Sequence, residues 1–168
     1  MNIFVLGDSA HESAEMHCDK HCVKMILEYS QMLSSAHRVL DGDDCVGFER
    51  LYRVAHKNHP CTIWVRENKK HYRWLFDLWK SLSQEYTLRY GKFHASWTKL
   101  NSYLEVIPKN IPDVEWREPP QCMPDHCKDE DVVEAYRKYY KLEKNNFAVW
   151  KYSRTPEWYT KGISNANV

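Results

Sequence analysis

A chain of 168 residues and 20.2 kDa is long enough to bury one sizeable core and short for two ordinary domains. With 43% hydrophobic and 28% charged residues, five Gly and seven Pro, it falls outside the collagen-like, low-complexity and disordered classes. A formal charge of +1 argues against a protein that coats nucleic acid, but the charge is uneven: residues 105–134 carry nine acids against three bases, −6, leaving 21 bases against 14 acids, +7, on the rest. A basic body of this kind still attracts phosphate.

From the N-terminus, Asn2–Leu6 is a short β-like run closed by Gly7-Asp8-Ser9, and Ser9 with Glu12 has the form of a capping box. No Pro or Gly interrupts the chain from there to Leu40, which predicts one long helix with Cys22, Ile26, Tyr29, Leu33 and Ala36 on its core face, stopped by Asp41-Gly42-Asp43-Asp44. A second short helix is expected around Phe48–Ala55. Asn58-His59-Pro60 reads as a helix start with Pro in the first turn, opening an aromatic helical stretch over Thr62–Tyr90 that Gly91 ends. A helix over His94–Val106 follows. Pro108, Pro112, Pro119, Pro120 and Pro124 then forbid regular structure, giving a long acidic loop, and Asp129–Phe147 is the last strong helix. The expected architecture is mostly α: a single compact helical domain over residues 1–162, with a short N-terminal extended segment, the Pro-rich loop and a flexible tail over 163–168.

No apolar run approaches the ~20 residues of a bilayer span and no signal-type segment opens the chain, so a soluble, cytoplasmic protein with no membrane partner is expected. The six Cys are then expected as free thiols. Cys18 and Cys22, with Cys122, His126 and Cys127 from the Pro-rich loop, offer a possible zinc set, but that spacing is permissive and the reading assigns no metal and no cofactor. Seven Trp, eleven Tyr and five Phe, many beside Lys or Arg as in Tyr72-Arg73-Trp74 and Trp150-Lys151-Tyr152, suit either a ring-rich core or stacking on bases.

The segment His17–Glu28 carries the strongest chemical signal. Steps of four, three and four place His17, His21, Lys24 and Glu28 on one helical face, an acid/base stripe if they share a cleft. Asn58, His59 and the free N–H groups of the helix start, with Arg66, Lys92 and His94, form the expected phosphate side of that cleft. Walker loop, G-x-G-x-x-G, G-x-S-x-G and H-E-x-x-H patterns are all lacking, so the common nucleotide and serine hydrolases lose their support.

Glu28 ahead of Gln31 and Val39-Leu40, the His59-Pro60 helix start, Glu85 with Arg89-Tyr90-Gly91, and the aromatic-basic C-terminus resemble phage and bacterial pyrimidine dimer DNA glycosylases. The resemblance implies an all-helical domain that flips nucleotides and cleaves an N-glycosidic bond through an imine on the N-terminal amine, with a helix-one carboxylate in catalysis. Glu28 matches that carboxylate. The family nucleophile needs a small second residue freed by loss of the initiator Met, whereas Asn2 is bulky and retains Met1, so the amine is Met1's or that of Lys24, or the chemistry differs. The expected function is DNA-base or nucleotide glycosidic chemistry, hydrolase or lyase in type, with DNA or a nucleotide as partner. Its rivals are a phage enzyme acting on free nucleotides, and a non-catalytic protein that captures a nucleotide or a host protein.

Overall fold

In the computed structural model, which describes residues 1–160, the chain is mostly helical and forms no strand among those residues. Ser9 opens α1 (Ala10–Met16) by accepting from the Glu12 N–H at 3.1 Å, as its spacing predicts. The long helix expected to run on to Leu40 instead stops at Met16 and restarts as α2 (Asp19–Asp41). The cause is tertiary. The Arg89 guanidinium donates to the carbonyls of His17 at 2.8 Å and Glu15 at 3.0 Å, while the Asp19 N–H donates to the Val149 carbonyl at 2.9 Å. Backbone groups that a continuous helix would pair locally are thus satisfied from elsewhere in the fold.

The expected helix at Phe48–Ala55 is absent. Gly47 begins a hydrogen-bonded turn at φ 65°, where a Cβ would lie 2.6 Å from the Tyr103 ring. Arg38 then draws the Phe48, Leu51 and Tyr52 carbonyls outward at 2.7–2.8 Å, leaving them unable to serve a helix. Ser34 and Ser35 of α2 accept from the Tyr52 and Ala55 N–H groups, so the segment is laid along α2.

The stretch Thr62–Tyr90 is divided into α3 (Pro60–Glu67) and α4 (Lys69–Tyr90). Asn68 makes the break: its Oδ1 caps the Lys70 N–H at 3.1 Å, and its Nδ2 donates to the Val114 and Glu115 carbonyls. Gly91, left-handed at φ 68°, closes α4. Next come α5 (Ala95–Leu104), capped by the His94 ring, and α6 (Val132–Glu143), capped by Asp131.

Helix α2 is the hub, packing against α3, α4 and α5, while α1 lies on α4. Residues 3–6 have no strand partner and pass between α2 and α6, every one of them buried. Phe4 donates its N–H to the Tyr29 hydroxyl, stacks on His21 with centroids 4.3 Å apart, and meets the Tyr136 and Tyr140 rings of α6 edge-on. Arg137 of α6 donates to the Leu6 carbonyl at 2.8 Å. The N-terminal segment is therefore a core element, and eleven of the chain's 23 large rings are buried in the core, with others half-buried against it.

The Pro-rich segment is a strap. Trp64 Nε1 donates to the Arg117 carbonyl, the Arg117 N–H donates to His71 Nε2, and the Lys69 N–H donates to the Pro112 carbonyl. Asp113 and Asp129 of the acidic excursion pair with Lys70 and Lys138. No helix is long and apolar enough to cross a membrane among the described residues. The tail expected at 163–168 lies outside them.

Candidate active site

The four members of the expected acid/base stripe have three different environments. His17 belongs to the α1–α2 junction and is fully buried, its Nδ1 paired with the Ser13 carbonyl and its Nε2 with the Tyr29 hydroxyl at 2.8 Å. His21 is buried too, its Nδ1 2.6 Å from the Tyr140 hydroxyl. Burial drives the His17 pKa down to about 3 and that of His21 to about 2, the latter helped by neighbouring cations. Both are neutral rings of a polar core network, sealed from solvent. Lys24 is exposed and Glu28 half-buried, so the expected single cleft lined by all four is not formed. Spacing alone missed this because the helix restart takes His17 off the register of the other three.

Glu28 keeps an open carboxylate on α2. Ser35, two turns further along the same face, receives the Ala55 N–H at 3.1 Å, so the 55–59 loop leaves α2 on the Glu28 side. His56 turns that loop sharply with a left-handed φ of 48°. His59 then caps α3, accepting the Cys61 N–H on Nδ1 at 3.1 Å. Arg66 folds back from α3 to donate to the Lys57 carbonyl at 2.8 Å, which keeps Asn58, His59 and Arg66 together. Lys92 and His94 lie apart from them, between α4 and α5, where His94 meets the Tyr86 ring and the Val23 backbone. No hydrogen bond or ion pair joins these two groups of the expected phosphate side among the described residues.

The N-terminus reaches this loop. The Met1 Sδ accepts from the Thr62 hydroxyl at 3.5 Å, and the terminal ammonium is near enough to help burial hold the His59 pKa below its ordinary value. It also bears on Cys61 and Cys122. Beside it, the Asn2 Oδ1 is buried with no hydrogen-bond partner among the described residues.

The cysteines divide differently from the set suggested by sequence. Cys18 and Cys22 are core residues whose thiol pKa values burial raises, that of Cys22 to about 12. Cys122 meets Cys61 and His59, while His126 and Cys127 meet Glu143. All six Cys are free thiols. The partners of Cys61 were invisible in sequence because its neighbour arrives on the strap, 61 residues later.

A cavity of about 760 Å³ opens elsewhere, between Glu15, Met16, Glu85, Arg137, Arg154 and Trp158. None of the sequence-predicted site residues lines it, and with Glu157 its three carboxylates outnumber its guanidiniums, a poor match to phosphate.

The N-terminal amine thus lies near the polar start of α3, close to His59, Cys61 and Cys122. The family model for pyrimidine dimer DNA glycosylase matches residues 1–99, and the chain belongs to that family. The matched region spans the N-terminal segment, α1 to α4 and the start of α5. No curated protein and no solved structure matches the chain.

Proposed function

We propose that the protein cleaves the N-glycosidic bond of damaged pyrimidines in DNA, with the Met1 amine as nucleophile and Glu28 as the acid/base. The observation that carries this is the burial of residues 3–6 between α2 and α6, which fixes where the chain terminus lies. A free terminus is ordinarily mobile, and a nucleophile must be held against its target to gain from proximity. In the proposed reaction the neutral amine nitrogen bonds to the sugar C1′ as the bond from C1′ to the base breaks, and the base leaves with a proton. Ring opening then converts the C1′–N bond to an imine. Glu28 moves the protons between the amine, the ring oxygen and the departing base. Asn58, His59 and Arg66 hold a flanking phosphate, Arg66 as the permanent cation.

His17 and His21 serve this reading as positioning residues: they tie Tyr29 and Tyr140 to the backbone that carries the N-terminal segment. Lys24, one turn before Glu28 and exposed, supplies the alternative amine. The test is incision of ultraviolet-irradiated duplex DNA, with the unirradiated duplex and free nucleotides beside it. The reading expects cleavage of the irradiated duplex only. Cleavage of free nucleotides, or tight nucleotide binding without turnover, would replace it with the free-nucleotide enzyme or the binding protein.

A further inference from the structure

We propose that His59, Cys61 and Cys122 form a binding site for Zn²⁺ or a similarly thiophilic divalent cation, joining the Pro-rich strap to the start of α3. The ligand atoms of these three residues all lie within 4.8 Å of one another. The two sulfurs are 3.8 Å apart. Two thiolates at about 2.3 Å from a tetrahedral zinc stand roughly 3.8 Å from each other, so the pair already spans one edge of the coordination tetrahedron. A disulfide would need the sulfurs at about 2.05 Å and an oxidant to take up two electrons, whereas metal binding needs only loss of the thiol protons.

The chemistry of each donor agrees. Two thiols and an imidazole are donors that zinc takes. His59 Nδ1 accepts the Cys61 N–H at 3.1 Å, so a cation bound through Nδ1 would displace that cap bond. Half-buried Cys122 and His59 give a route from solvent, while Cys61 forms the buried floor. Three protein donors leave a fourth tetrahedral position for water.

The site shares His59 with the proposed phosphate contact, but its test does not use activity and so fails or succeeds separately from the glycosylase reading. The full-length, freshly reduced protein is titrated with Co²⁺ as a spectroscopic substitute for Zn²⁺. Equimolar binding is expected, with a sulfur-to-cobalt charge-transfer band and intense visible bands of tetrahedral cobalt, both lost on adding Zn²⁺. Cys122→Ser, at a half-buried position where folding is readily checked by thermal melting, should abolish the bands, as should Cys61→Ser. Cys127→Ser should leave them unchanged, and Zn²⁺ should raise the Tm of the wild type but not of Cys122→Ser. No charge-transfer band, or bands that survive Cys122→Ser and vanish in Cys127→Ser, would overturn the assignment; the second result would give the metal to the His126–Cys127–Glu143 cluster.

Discussion

Glu28 and His17 show how the same residue-level pattern leads to opposite roles. Glu28 is half-buried with no hydrogen-bond partner among the described residues, so Glu28→Gln should leave the Tm within about 0.5 kcal/mol of stability of the wild type. It should lower turnover on damaged duplex roughly 100- to 10,000-fold, because the amide keeps the shape but exchanges no proton. Equal activity in the variant would remove Glu28 from the reaction. His17 and His21, by contrast, govern stability. Their folded pKa values of about 3 and about 2 lie below the ordinary 6.5, so between those limits the unfolded chain binds protons that the fold refuses. Stability from this source is full above about pH 6.5 and falls as the pH drops toward 3. Melting temperatures across that range should show it, with a shallower slope in His21→Gln; parallel slopes would contradict the assignment. Helical spacing and the family pattern both point to Glu28, whose role the variant tests, whereas the burial of the two His depends on Phe4, Tyr29 and Tyr140 arriving from distant sequence.

Helix ends were read well where a local side chain made them and badly where a distant one did. Ser9, Pro60 with its preceding His59, Gly91 and the Asp41-Gly42 stop all act on their own neighbours, and each stands close to its expected place. The breaks at His17–Cys18 and the missing helix at Phe48–Ala55 come from Arg89 and Arg38, whose guanidiniums take backbone carbonyls across the fold. Asn68 is intermediate: as a local cap it was available to inspection, but its hold on the strap was not. Arg89 also pairs with Asp19 at 3.2 Å and Glu85 at 3.0 Å while its own side chain is 1% exposed. Arg89→Ala should therefore cost about 3–5 kcal/mol in chemical denaturation, since two partly buried carboxylates lose their partner. A loss below about 1 kcal/mol would mean that the α1–α2 junction is held by other contacts.

On the scale of the whole molecule, mostly helical architecture was readable from composition and periodicity, and the acidic loop was recognisable from its prolines and charge. What could not be read was that this loop packs as a strap with Asp113 and Asp129 paired to Lys70 and Lys138, which engages two of the cations counted in the +7 of the remaining chain. If four phosphates are contacted, duplex affinity should fall roughly 100-fold between about 50 and 200 mM salt. A flat salt profile would point away from DNA. The central claim, that the anchored Met1 amine forms an imine with the sugar, is tested most directly by borohydride trapping on ultraviolet-irradiated or abasic duplex, followed by peptide mapping of the adduct. The account predicts a covalent protein–DNA adduct on the Met1 residue, abolished when the N-terminal amine is blocked. An adduct on Lys24, or none with a duplex that the protein demonstrably cleaves, would contradict it.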